Sequence, residues 1–142
     1  MIKSGRTAGS LWIVLSRAYK TIEKQDLESI RSLGFKCETD FAVLEILLHK
    51  GPLPVNTIGQ KILLTSGSIT TAIKRLEVQG WVTKEADSID RRKILVALTS
   101  KGSGIIEAAY KEHAKRLENL MSGLSKEEKE MLVILLKKLA KR

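Results

Sequence analysis

"TSGSITTAIKRLEVQGWV", Thr65 to Val82, carries two patterns at once. Ile69, Ala72, Ile73 and Leu76 recur at i, i+3, i+4 and i+7, the spacing of one buried helical face. With Ile69 at zero on a wheel of ~100° per residue, Gly67, Thr71 and Lys74 fall opposite, flanked by Ser68, Thr70 and Arg75. Serine and threonine are mediocre helix formers, and a merely solvated face would carry more Glu, Lys and Gln. This outer face is small and hydroxylated where the helix begins and cationic one to two turns later. It suits a DNA major groove, ~12 Å wide, which a helix enters only if its first side chains let it come close. Gly67 permits that approach. Ser66, Ser68, Thr70 and Thr71 can exchange hydrogen bonds with base edges, and Lys74 and Arg75 can reach guanine or phosphate.

Upstream, "PVNTIGQKILL" predicts a brief helix from near Pro54 to Ile62, which would cross the backbone and complete a helix-turn-helix. Thr65 or Ser66 is expected to cap the recognition helix and Gly80 to stop it. Beyond Gly80 the period changes. "WVTKEA" (Trp81–Ala86) and "KILVAL" (Lys93–Leu98) favour strands, and the charged "DSIDRR" between them reads as the tip of a hairpin. Arg91, Arg92 and Lys93 suit phosphates or the minor groove, whose negative potential attracts guanidinium. Asp90 is out of place there unless it orients Arg92, two residues on, through a charge-assisted hydrogen bond. A hairpin of this kind beside a recognition-type helix is a wing.

The flanks are helical. Leu11 to Leu33 forms an amphipathic stretch ending at Gly34. "ETDFAVLEILLHKGP" is apolar almost all round and is expected to be the central core helix, capped by Thr39 or Asp40. From Thr99, Ile106, Tyr110, His113, Leu117, Leu120 and Leu124 form a heptad seam suited to another helix. "SKEE" at Ser125–Glu128 is a capping box opening a last helix, with Leu132, Leu135 and Leu139 expected inward.

Composition narrows the partner. The chain has 142 residues, enough for one domain with or without dimerisation extensions. It carries 25 Lys and Arg against 16 Asp and Glu, a net charge of +9, which points to a polyanion. The single cysteine, Cys37, rules out an intrachain disulfide and suits a reducing cytoplasm, the expected location. No apolar run approaches the ~20 residues of a membrane span, and the opening residues hold no signal-peptide core. No phosphate-binding glycine loop, metal-ligand spacing or nucleophile–base set occurs, so neither catalysis, a metal nor a cofactor is expected.

In this order and spacing, "FAVLEILLHKG", "IGQKILLTSGSITTAIKRLEVQGWV" and "DRRKILVALTSKG" resemble the MarR family of bacterial transcriptional regulators, from about Leu11 to the C-terminus. The last stretch is similar to the family's D-R-R wing signature followed by a strand and L-T-x-x-G. The resemblance implies a mainly α fold with a small β-hairpin wing: a winged helix-turn-helix with long N- and C-terminal dimerisation helices. It would form one domain over 1–142, with its DNA-binding core at 36–99 and dimerisation helices at 8–35 and 100–142. It further implies a homodimer on a palindromic operator in double-stranded DNA, with Ser68–Arg75 as recognition helix and Arg92 as minor-groove arginine. The seams outside the winged core ask independently for a partner, because a small lone domain is marginal.

"FAVLEILLHKG" and "LWIVLSRAY" are similar to the branch that responds to quinones and related aromatic compounds. The expected function is therefore a repressor released by a small aromatic or phenolic ligand or by thiol oxidation. Trp12 and Tyr19 are candidates for lining a ligand pocket, or else plain interface, and Cys37 for thiol sensing, or else packing. Two other functions stay open on the sequence: a non-specific architectural DNA binder and a helical protein–protein adaptor.

Overall fold

The computed structural model describes residues 7–62 and 66–141, with Ser66 described by its backbone alone. The order is α1 (Ala8–Ser32), α2 (Glu38–Lys50), β1 (Leu53–Pro54), α3 (Val55–Lys61), α4 (Ser66–Val78), β2 (Val82–Ala86), β3 (Ile94–Leu98), α5 (Ser100–Leu120) and α6 (Lys126–Ala140). The expected mainly helical winged fold is present. Contacts group it into two compact units, Leu27–Glu112 in one and the residues outward of Asp26 and His113 in the other, so the boundary falls inside α1 and α5.

The Leu27–Glu112 unit holds the core. Phe41, Val43, Leu44 and Leu47 of α2 are buried, as a helix apolar nearly all round must be. Ile58 of α3, Ile69, Ile73 and Leu76 of α4, Val96 of β3 and Ile106 of α5 join them in one cluster. Each such side chain contributes ~1.5–3 kcal/mol by leaving water. The tail of α1 enters through Ile30, and Phe35 meets Phe41 and Trp81 edge to face.

The hairpin gains a third strand. β1 pairs antiparallel with β3 through Leu53↔Val96 and Pro54↔Leu95, giving the order β1-β3-β2. Pro54 fits there because an edge strand can leave one residue without an N–H, and it also stands at the N-cap of α3. β2 and β3 pair from Val82↔Leu98 to Ala86↔Ile94. Gly80, at φ 75°, makes the left-handed turn from α4 into this ladder.

The L-T-x-x-G motif closes the unit. The Thr99 hydroxyl donates to the Gly80 carbonyl at 2.6 Å and accepts from the Gly102 N–H at 3.0 Å, so Thr99 caps α5. Its backbone N–H reaches the Trp81 carbonyl at 3.1 Å. Gly102 is buried against that same carbonyl, with no room for a side chain.

Three expectations are corrected. α2 begins at Glu38 behind Cys37, so neither Thr39 nor Asp40 is its cap; Asp40 turns inward instead. α5 ends at Leu120, which leaves Leu124 of the heptad seam in the following turn. Leu132, Leu135 and Leu139 of α6, expected inward, are 42%, 53% and 50% exposed. Ser125 does cap α6, its hydroxyl accepting from the Glu128 N–H at 3.1 Å.

The second unit holds the start of α1, the end of α5 and α6. Leu11, Val14, Leu15, Tyr19 and Ile22 of α1 line a groove with Leu132, Leu135, Leu136 and Leu139 of α6. His113, 5% exposed, brings Nδ1 to 3.3 Å from Asp26 Oδ1. The sequence offered His113 no acidic neighbour at ligand spacing. Even with Asp26, no group of three metal-ligating side chains forms among the described residues. No described helix is long and apolar enough to cross a membrane.

Candidate nucleic-acid interface

α4 separates its two faces cleanly. Ile69, Ala72, Ile73 and Leu76 are no more than 1% exposed, whereas Gly67, Ser68, Thr70, Thr71 and Lys74 are all exposed. The packing that hides the first set is shared between α2, α3 and β2. A hydrophobic stripe at 3.6 spacing can be buried only by turning the opposite stripe outward, which brings these hydroxyls and Lys74 together. At Gly67 a Cβ would meet nothing within 4 Å, so the helix entry is open to a close partner. Leu63, Leu64 and Thr65, which lead into α4 and include one candidate cap, lie outside the described residues, as does the side chain of Ser66.

The Thr71 hydroxyl donates to the Gly67 carbonyl one turn back at 3.0 Å. With its proton so engaged, the exposed side chain has a lone pair and a methyl group to offer a partner. These match the amino group of adenine or cytosine and the methyl of thymine.

The wing is braced by its own acids. Asp90 Oδ1 accepts from the Arg92 backbone N–H at 3.1 Å and from Arg92 Nε at 3.3 Å. Asp87 accepts from the Ile89 N–H at 3.1 Å, and the Lys93 N–H donates to the Asp90 carbonyl at 3.0 Å. Arg92 nonetheless keeps 92% of its side chain in solvent, and Arg91 and Lys93 are exposed beside it. The tip is thus an ordered cationic turn. At the far end of α4, Lys84 of β2 meets Glu77 at 3.4 Å and ties the wing to the helix.

Arg75 differs from the others. Its guanidinium leans inward from α4 onto Asp40 of α2. Nε lies 3.0 Å from each carboxylate oxygen, and Nη2 donates to Oδ1 and, at 3.1 Å, to Cys37 Sγ. The Asp40 hydrogen bond and charge raise the pKa of Arg75, against the opposing pull of burial. Asp40 itself is 2% exposed. From the sequence it was a candidate cap, and nothing local signals its true partner.

Of the remaining candidates, Tyr19 is 60% exposed, donates to Glu23 at 3.1 Å and lies along the α1–α6 groove. Trp12, 67% exposed, is on α1 away from that groove's lining. Cys37 is half-buried and a free thiol.

Comparison with known proteins places this geometry. A family model described as "MarR family" matches residues 38–94. The HTH-type transcriptional regulator MhqR of Bacillus subtilis is 42% identical over 128 residues, covering 90% of this chain and 88% of its own. Among solved structures, NadR in complex with 4-hydroxyphenylacetate superposes with a TM-score of 0.78 at 24% identity over 99% of each chain. A mutant MarR from E. coli complexed with operator DNA gives 0.77 at 24% identity, over 92% of this chain and 93% of that one. These two structures share the fold.

Proposed function

We propose a function on one premise: the chain belongs to the MarR family, among relatives that are HTH-type transcriptional regulators. It is a homodimeric repressor in the cytoplasm that binds a palindromic operator and is released by a small aromatic or phenolic ligand. The observation that carries this is the outer face of α4, a row of small hydroxyls and Lys74 on a helix whose other side is wholly buried. Ser68, Thr70, Thr71 and Lys74 read base edges, with Gly67 permitting the close approach and Ser66 at the entry. Arg92, braced by Asp90, takes the minor groove, and Arg91 and Lys93 take phosphates.

The dimer rests on α1 and α6. Met131, Leu132, Val133, Ile134, Leu135 and Leu136 form an unbroken apolar run, each at least 39% exposed. A helix apolar on every side is stable only when covered on every side, and a second copy supplies the same α1 and α6 faces in return. The groove, about 770 Å³, is large enough for a ligand, but its continuity with this run favours the partner as its occupant. Two-fold pairing presents two α4 helices about one turn of DNA apart.

The phenolic ligand is supported by the likeness to NadR, which is solved with 4-hydroxyphenylacetate. A ligand releases DNA only by binding one spacing of the winged units better than another. Thiol oxidation is a second trigger, favoured by the contact of Cys37 Sγ with Arg75 of α4.

The test is binding to a palindrome from the protein's own promoter against scrambled DNA. A specific regulator holds a ratio of ~10³ or more, whereas a non-specific architectural binder gives equal affinities. Thr71→Ala is expected to relax base preference at one position by roughly 1–3 kcal/mol. Lys93→Ala is expected to weaken all sequences alike and flatten the salt slope by about 1. Mobility shifts across a salt series check both, and the reverse pattern would exchange the two roles.

A further inference from the structure

We propose that Asp40 is a positioning residue for DNA reading: by gripping Arg75 it sets the roll of α4 about its own axis, and Arg75 supplies orientation instead of a phosphate contact. This rests on α4 being the recognition helix, as argued above.

Asp40 sits in the first turn of α2 and is 2% exposed, whereas the other buried residues of α2, Phe41, Val43, Leu44 and Leu47, are all apolar. A buried carboxylate is costly unless it is paired and hydrogen-bonded. Here both oxygens are satisfied by one side chain, Arg75, from 35 residues further along the chain. The guanidinium is a rigid planar fork, so holding it at Nε and Nη2 fixes a direction as well as a distance.

α2 and α4 also share the apolar core cluster, through Leu44, Ile73 and Leu76 among others, and burial of apolar surface is non-directional. Such packing resists a roll through shape alone, whereas the charged fork adds a fixed direction. Arg75 lies one turn after Thr71 and next to Lys74, so a roll at Arg75 moves both outward-facing side chains together. The directional tie between α2 and the reading face therefore runs through the Asp40–Arg75 pair, alongside the Glu77–Lys84 tie from the end of α4 to β2. The wing arginine is held differently, since Arg92 keeps 92% of its side chain in solvent while braced by Asp90.

The experiment uses the full-length dimer. In Asp40→Asn with Arg75→Gln, net charge is unchanged and neither partner is left as a buried lone charge, but the charged fork is gone. Arg75→Lys keeps the positive charge and removes only the fork. Three quantities are read for each: dimer mass, the operator-over-scrambled affinity ratio, and the salt slope on scrambled DNA. The expected result is a ratio reduced roughly 10-fold or more in both variants, about the loss of one base-pair contact, with dimer mass and salt slope unchanged.

A salt slope lowered by ~0.9 in the double variant would make Arg75 a phosphate contact and overturn the proposal. So would an unchanged ratio with an unchanged slope, which would leave the pair purely structural. Should the double variant fail to fold, Arg75→Lys decides alone, because its ratio must fall although its charge is retained. Failure of the parent reading is separate: there the unmodified protein itself would not distinguish operator from scrambled DNA.

Discussion

Leu135→Asp is expected to split the dimer and lower operator affinity by roughly 10²-fold or more, while the winged unit stays folded. Leu135 lies mid-way along α6, 53% exposed and lining the α1–α6 groove. It lies outside the core cluster, whose members are all in the Leu27–Glu112 unit, so that unit has no reason to melt. In the dimer the new carboxylate would be moved from water into an apolar contact with nothing to pair it, at a cost of several kcal/mol. Without the dimer, the second half-site must be captured from bulk solution instead of at the millimolar effective concentration a tether provides, a loss of ~10²–10⁴. Sedimentation gives the mass, and mobility shifts on full operator and isolated half-site give the affinities. The half-site should bind as before. A dimer that survives with full operator affinity would move the interface elsewhere.

Gly102→Ala is expected to destabilise the winged unit strongly. Its Cβ would lie 1.9 Å from the Trp81 carbonyl oxygen and 2.8 Å from the carbonyl carbon, both backbone atoms that no rotamer change can move. Relief requires α5 to draw back from the start of β2. That breaks the Thr99 N–H bond to Trp81 at 3.1 Å and the Thr99 hydroxyl bond to Gly80 at 2.6 Å. Overpacking and two lost hydrogen bonds together suggest about 3 kcal/mol or more, and a Tm lower by on the order of 10 °C. Gly104→Ala is the control, two residues along the same helix, where a Cβ meets nothing within 4 Å. It should leave the Tm level or raise it, since alanine is the better helix former by ~0.5–1 kcal/mol. Equal melting of Gly102→Ala and the parent in a thermal scan would mean that the close approach to Trp81 is absent in solution.

Much of the fold was legible because its signals repeat within a turn or two. The apolar stripe of α4 is complete in eight residues and is the stripe found buried. The hairpin announced itself by a change of period after Gly80, and the Ser125 cap by its spacing to Glu128. Asp90 and Arg92 are two residues apart, so their pairing could be anticipated from the chain. β1 could not, because a two-residue strand has no period, and its existence depends on β3 arriving beside it.

The sequence by itself therefore determined which segments are helices, the two strands of the hairpin, which face of α4 turns outward, and the cationic tip of the wing. Only the tertiary structure decided that Asp40 is the seat of Arg75, that Gly102 lies under the Trp81 carbonyl, and that the apolar run of α6 is left about half exposed by the described residues of its own chain. The physical reason is range. Helix and strand periodicities are written by neighbours, whereas an ion pair spanning 35 residues, or a carbonyl against a glycine 21 positions on, exists only after distant segments have packed.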